Sequence, residues 1–107
     1  MSIQRVVTPS EFETQIGQEG ITVVDFDAPW CPPCKILGPV LEQLHEDHNG
    51  RINLVKVNCD EAVELASRFG IMSIPTVILF HNGEPVEKLV GLRPREVYDR
   101  LIEKYNN

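Results

Sequence analysis

The near-continuous apolar run Ile21–Phe26, rich in β-branched residues, is the feature that most restricts the fold. A run of this kind suits a central strand covered on both faces. Ten residues after Phe26 the pattern changes period. Ile36, Leu37, Val40, Leu41 and Leu44 fall at helical spacing, with Pro39 inside the pattern, where it removes one backbone hydrogen bond and favours a kink. The same alternation runs along the chain. Ile3–Val7 reads as a first strand, and Thr8-Pro9-Ser10-Glu11 as a capped helix start carrying Phe12 and Ile16. Ile52–Val57 reads as a strand. Asp60 is expected to cap a helix with Ala62, Leu65, Ala66 and Phe69 on its inner side, ended by Gly70. Thr76–Phe80 and Val86–Val90 flank Asn82-Gly83, a strong hairpin signal. Pro94 opens a last helix with Val97, Tyr98, Leu101, Ile102 and Tyr105 facing inward. The predicted order is βαβαβαββα. It implies one α/β domain over residues 1–107, with a mixed sheet and helices on both faces.

Composition narrows the function. The chain has 107 residues, 42% of them hydrophobic, enough for one core. Its net charge of −6 argues against a nucleic-acid surface. The N-terminus Met-Ser-Ile-Gln-Arg lacks the apolar region of a signal peptide, and no apolar stretch reaches the roughly 18 residues of a membrane helix. The expected compartment is the cytoplasm. Three cysteines are too few and odd in number for a disulfide scaffold. In a reducing compartment a close pair suits catalysis or metal binding.

The close pair is Cys31-Pro32-Pro33-Cys34, just past the apolar run. This is where α/β sites lie, beyond the carboxyl end of a strand. Cys34 falls in the first turn of the next helix. A helix N-terminus, with its free N–H groups and partial positive charge, favours a thiolate. One thiolate attacks, and a thiol three residues on can displace the mixed disulfide. Two blander alternatives have less support. A zinc half-site needs two more ligands, and Cys59, His45, His48 and His81 offer no second pair. A structural disulfide closing so short a loop constrains the unfolded chain little.

Two charges interrupt apolar strands. Asp25 sits in the first run and Lys56 in Ile52–Val57. A lone buried carboxylate is costly, so the two suggest an ion pair or a shifted pKa. Burial would raise the Asp25 pKa and a nearby Lys56 would lower it. A purely structural polar pair is the alternative.

Trp30-Cys31-Pro32-Pro33-Cys34-Lys35, with Asp25 before it and Ile74-Pro75-Thr76 after it, resembles the thioredoxin family, and the resemblance covers essentially the whole chain, including Pro39, Lys56, Gly83 and Gly91. It implies the thioredoxin fold, a central mixed five-stranded sheet flanked by four helices. It implies a protein-disulfide reductase, with Cys31 as nucleophile, Cys34 as resolving thiol and a Cys31–Cys34 redox disulfide. Asp25 would accept the Cys34 proton, modulated by Lys56. Pro75 would follow a cis bond, help exclude metal from the dithiol and, with Trp30, Ile74, Val90, Gly91 and Leu92, dock the client. Core packing is the competing reading of Trp30. No bound cofactor or metal is implied. Electrons would come from a thioredoxin reductase using NADPH, the partners would be that reductase and disulfide-containing clients, and the protein would act as a monomer away from membranes.

The sequence departs from the family pattern at two places. Pro-Pro stands between the cysteines where the family usually has Gly-Pro. Proline lacks an N–H and disfavours helical geometry before it, so the helix should begin near Pro33, and the Cys31 thiolate should lose a donor. Cys34 and Lys35 supply the nearest free N–H groups. Pro32 and Pro33 thus tune the couple. Asp27 stands where an aromatic residue is usual. On a strand it shares a face with Asp25 and would oppose thiolate formation at Cys31. A solvent-exposed loop carboxylate is the alternative. Cys59 reads as a small buried apolar residue or, less simply, a regulatory thiol. Lys35, His45 and His48 read as helix-surface residues. Two rival functions remain: a thiol oxidase or isomerase, and a thioredoxin-fold binding module without chemistry.

Overall fold

The strand Ile21–Asp27 (β2) is buried along nearly its whole length and occupies the centre of the sheet in a computed structural model that describes residues 3–106. Met1, Ser2 and Asn107, part of the expected 1–107 domain, lie outside the described residues. The other elements are β1 (Ile3–Val6), α1 (Pro9–Ile16), α2 (Pro32–Asp47), β3 (Ile52–Asn58), α3 (Val63–Arg68), β4 (Thr76–His81), β5 (Glu84–Val90) and α4 (Arg95–Tyr105). Their order is the one expected. The strands lie in the order β1-β3-β2-β4-β5. β1 and β2 run parallel to β3, whereas β4 runs antiparallel to β2 and β5. Among the described residues this is a five-stranded mixed sheet with four helices.

Strand parity divides the core in two. Ile21 and Val23 of β2 face Leu37, Leu41 and Leu44 of α2 and Tyr98 and Ile102 of α4. Val24 and Phe26 face Phe12 and Ile16 of α1 and Leu65 of α3. Asp25 and Asp27 follow the parity of Ile21 and Val23, so their side chains lie on the α2 side.

Local signals set most boundaries. Thr8 and Glu11 form the capping box, and the Glu11 carboxylate also accepts from the Val7 N–H at 3.0 Å. That bond ends β1 at Val6 rather than Val7. Asn82 and Gly83 take φ of 52° and 87° in the β4–β5 turn, the left-handed pair that Asn-Gly favours. The Asn82 side chain accepts from the Gly20 N–H at 2.7 Å, which ties this hairpin to the turn entering β2.

Three helix starts differ from expectation. α2 begins at Pro32, not near Pro33. Cys31 takes the extended geometry that proline demands (φ −94°, ψ 108°), and Pro32 fits the first helical position, which needs no N–H. α3 is shorter than its apolar pattern and is preceded by Ala62 with no side-chain cap, because the Asp60 carboxylate is engaged elsewhere. Pro94 is the N-cap of α4 rather than its first residue. His48, read as an ordinary surface residue, closes α2 and bonds Asp99 of α4 at 2.9 Å.

On the α1/α3 side, the Phe12 ring lies 5.1 Å from Phe69 and 5.8 Å from Phe80, centroid to centroid, and is fully buried. Phe12→Ala is expected to destabilise the chain by ~3–5 kcal/mol, the usual cost of removing a buried ring. A urea midpoint that falls at unchanged slope would show it; an unmoved midpoint would mean that this layer does not carry the stability assigned to it.

Candidate active site

Three loops meet at one end of the sheet because of register. Phe26 of β2 pairs with Thr76 of β4, and Thr76 pairs with Val90 of β5. The segments just beyond these residues are therefore neighbours: Ala28–Cys31, Ile74–Pro75 and Gly91–Leu92. The Ile74–Pro75 peptide bond is cis, as the resemblance implied. The Pro75 carbonyl accepts from the Gly91 N–H at 2.8 Å, which joins the second loop to the third.

Cys31 and Cys34 are joined in a disulfide, Cα to Cα 5.3 Å, at the start of α2. Cys31 is the helix N-cap, and the Cys34 N–H donates to its sulfur at 3.4 Å. The Lys35 N–H, the other donor expected for the sulfur, instead bonds the Cys31 carbonyl at 3.2 Å. Cys31 Sγ lies 3.8 Å from the Ile74 carbonyl oxygen. Both cysteines are buried in a small cluster with Ala28 and Ile74. Cys31 is only 3% exposed in the disulfide state.

The surround is apolar and open. Trp30 is 65% exposed, which excludes the competing core-packing reading. Its indole N–H donates to Asp60 at 2.8 Å, and that bond removes Asp60 from its predicted capping role. Val90 and Leu92 are also exposed, Ile74 half-buried. Pro32 and Pro33 are exposed on the first turn of α2.

Behind the disulfide lies a charged face. Arg5, Lys56 and Asp25 stand in one row across β1, β3 and β2. Asp25 is 1% exposed, and neither of its oxygens accepts a hydrogen bond from the described residues. Burial pushes its pKa up to about 7; the neighbouring Asp27 adds to the rise, while Lys56 and Arg5 oppose it. The predicted Asp25–Lys56 ion pair is not formed. The Lys56 ammonium reaches Glu42 of α2 at 2.7 Å instead, because its chain extends past Asp25 toward the helix. Asp27 is the last residue of β2, with its side chain 15% exposed and 3.6 Å from Arg5, so it is no exposed loop carboxylate. Burial raises its pKa, and Arg5 and Lys56 draw it back. An open cleft of about 480 Å³ borders this face, lined by Arg5, Asp27, Cys34, Gly38, Glu42 and Lys56 among others, with Asp25 buried away from it.

Cys59 is half-buried and free, and burial, with Asp27, Asp60 and Asp25 nearby, pushes its thiol up to about 11. That disfavours a reactive thiolate and supports the packing role. Among the described residues no group of three or more His, Cys, Asp or Glu side chains could hold a metal ion, and no helix is long and apolar enough to cross a membrane.

The family model for thioredoxin matches residues 3–104. The chain belongs to the thioredoxin family. Thioredoxin of Staphylococcus saprophyticus is 48% identical over 99 residues, spanning 92% of this chain and 94% of the relative. Thioredoxin of Staphylococcus aureus is 40% identical over the same shares. A variant thioredoxin from Halobacterium salinarum superposes with a TM-score of 0.91 at 35% identity, over 98% of this chain and 91% of that one. Plasmodium falciparum thioredoxin gives 0.85 at 34%, over 95% and 98%. Thioredoxin membership and the Cys31–Cys34 disulfide together identify a protein-disulfide oxidoreductase that works by dithiol–disulfide exchange.

Sequence reasoning missed Arg5, Glu42 and the Trp30–Asp60 bond. For Arg5 a signal existed: a cation inside a predicted strand, two residues from Ile3 and so on the same strand face.

Asp25 makes stability depend on pH in a definite sense. Its native pKa of about 7 lies above the ordinary value of 3.8, so between these values the native state binds more protons than the unfolded one. Stability from this group is present below about pH 4 and lost as the pH rises to about 7. Asp25→Asn should abolish that slope and be more stable at pH 8, by on the order of 4 kcal/mol at most. Urea unfolding across pH 4–8 measures it, and parallel pH profiles for the two proteins would refute the burial argument.

Proposed function

We propose that the chain reduces disulfides in client proteins with Cys31 as nucleophile and Cys34 as resolving thiol. The supporting observation is the Cys31–Cys34 disulfide at the head of α2, with the Cys34 N–H directed at the Cys31 sulfur. In the reduced protein that donor and the helix terminus favour the Cys31 thiolate. The thiolate attacks one sulfur of the client disulfide. A mixed disulfide forms, and the other client sulfur leaves as a thiolate that takes up a proton. Cys34 then loses its proton and attacks Cys31 Sγ, which closes the intramolecular disulfide and frees the second client thiolate.

Asp25 is the acceptor for the Cys34 proton in this reading. Cys34 and Gly38 lie one helical turn apart on the buried side of α2. A side chain at Gly38 would meet the Lys56 ammonium at 3.4 Å, and Lys56 pairs in register with Asp25. Asp25 shares the α2 side of the sheet with Cys34, which supports this reading, and its pKa lies near the working pH, where a general base is effective. Lys56 acts on Asp25 through its field, not by contact.

Trp30, Ile74, Pro75, Val90, Gly91 and Leu92 form the client surface, an apolar rim around the disulfide that excludes water from the exchanging sulfurs. The Pro-Pro dipeptide is a departure that weakens the Cys31 thiolate by withholding an N–H; Pro32→Gly should therefore strengthen it. Asp27 opposes that thiolate less than its charge alone suggests, because Arg5 stands against it. Two electrons from a thioredoxin reductase, drawn from NADPH, restore the dithiol. The protein works in the cytoplasm as a monomer, with no cofactor or metal of its own.

Cys34→Ser should accumulate a mixed disulfide with a client, visible as a mass adduct on non-reducing gels, whereas Cys31→Ser should form none. Adducts at Cys34 in the second variant would reverse the roles. Asp25→Asn should slow the resolving step at pH 7 by an order of magnitude or more, toward the low end of the ~10²–10⁴-fold contributed by positioned acid–base groups. The deficit should narrow at high pH, where Cys34 ionises unaided.

A further inference from the structure

The α2 face of the sheet holds more carboxylates than cations. Arg5 and Lys56 are its inner cations, and Asp25, Asp27 and Glu42 its carboxylates. At the exposed rim Lys35 and Glu61 offset one another. With every group ionised the face carries one uncompensated negative charge, so it is neutral only when one proton sits on a carboxylate. Which carboxylate takes that proton depends on how the cations are committed. Lys56 is held by Glu42 at 2.7 Å. Arg5 is held by Asp27 at 3.6 Å. Asp25, between them and accepting no bond from the described residues, is left without a partner.

Asp27 is the competitor. It lies two residues along the same strand face, roughly 7 Å from Asp25 in backbone terms. It is itself largely buried. Two carboxylates so placed and equally unpaired would share the proton and titrate as a coupled couple. Arg5 breaks that symmetry.

We propose that Arg5 is a positioning residue of the exchange reaction: its guanidinium keeps Asp27 ionised at the mouth of the cleft, so the surplus proton of the face resides on Asp25, beneath Cys34. The inference rests on Asp25 exchanging a proton with Cys34. All the packed elements contribute to the balance. β1 supplies Arg5, β2 Asp27, β3 Lys56, and α2 Glu42 and Cys34. Tyr98 of α4 and Cys59 beyond β3 stay protonated at neutral pH, their own protons held chiefly by burial. β4 offers only Val77. The direction follows from charge. Arg5 lowers both carboxyls but contacts only Asp27, so removing it raises the Asp27 midpoint more than that of Asp25 and closes the gap between them. Removing the Asp27 charge frees Arg5 toward Asp25 and lowers the Asp25 midpoint. Arg5 is half exposed, so solvent screens its field and the effect is moderate.

The test is carboxyl-carbon NMR titration of the full chain in the disulfide state, for the native protein, Arg5→Gln, Arg5→Lys, Asp27→Asn and the double variant Arg5→Gln/Asp27→Asn. Arg5→Gln should raise the Asp27 midpoint more than that of Asp25, narrowing the gap between them by about half a pH unit or more, roughly threefold in relative proton affinity. Asp27→Asn should lower the Asp25 midpoint. Arg5→Lys should keep both midpoints near their native values, and the double variant should keep that of Asp25. A rise of the Asp27 midpoint in Arg5→Gln against a fall of the Asp25 midpoint in Asp27→Asn separates charge from general damage to the fold. An unmoved gap in Arg5→Gln, or a rise of the Asp25 midpoint in Asp27→Asn, overturns the role of Arg5 alone. The pH profile of mixed-disulfide resolution is the second readout, and it should move with the titration. A resolving step whose pH profile is unaltered by Asp25→Asn overturns the acceptor role of Asp25, and with it any part for Arg5 in the reaction.

Discussion

The pairing of β2 with β3 on one side and β4 on the other is the constraint on which the rest depends. It buries β2 on both faces and both edges. It sets Phe26 opposite Thr76, and through Thr76 opposite Val90, which brings the cysteine loop, the cis-proline loop and the Gly91 turn to one end of the sheet. Strand side chains alternate with period two, so a shift of one residue in this register would exchange the two faces. Asp25 would then lie among Phe12, Phe69 and Phe80, and Phe26 under α2. The site exists because that register is held by two apolar layers at once.

The two layers do different work. The Phe12–Phe26–Phe69–Phe80 group on the α1/α3 side is a continuous aromatic contact with no buried charge. The α2 side is dense near Leu37, Leu41 and Tyr98 and gives way to charge toward the disulfide. Stability is thus concentrated on the face and end away from the sulfurs. The end that carries the chemistry holds the unpaired carboxylate, the open cleft and the exposed apolar rim, which are features that cost stability.

The sequence made the elements and their order legible because each has a local cause. Thr8 and Glu11 sit three apart, Asn82 precedes Gly83, and the apolar period changes from two to 3.6 at the right places. The disulfide and the cis bond were legible through the family motif, and the burial of Asp25 through its position in an apolar run. What was not legible is which charge answers which. The Asp25–Lys56 pairing was inferred from two strands each carrying one charge, and register did bring them side by side. A lysine side chain is long enough to pass its neighbour, and Glu42, on a helix whose rotation over the sheet no local pattern fixes, took the ammonium. Asp60 misled for a related reason. A carboxylate just before a helix reads as a cap, yet the competing donor, the Trp30 indole, comes from thirty residues away. Such contacts are set by tertiary packing and leave no periodic trace.

A dithiol that exchanges with proteins needs two conditions that oppose each other. The sulfurs react best where water is scarce, and the resolving thiol must still release a proton that finally reaches solvent. Parity along β2 reconciles them. Ile21 and Val23 anchor the strand in the apolar layer; Asp25, two residues on and still dry, can hold a proton near neutrality; Asp27, two further, borders the cleft and is partnered by Arg5. The positions Val23, Asp25 and Asp27 therefore grade along one strand face from apolar to titratable to cleft-lining over roughly 14 Å. The prolines at the head of α2 complement this gradient. They leave the Cys34 N–H as the donor on the Cys31 sulfur, so in the proposed exchange the attacking sulfur is stabilised from the helix and the resolving sulfur is served from the sheet. Separating the two roles between a helix terminus and a strand lets each thiol be tuned by different residues.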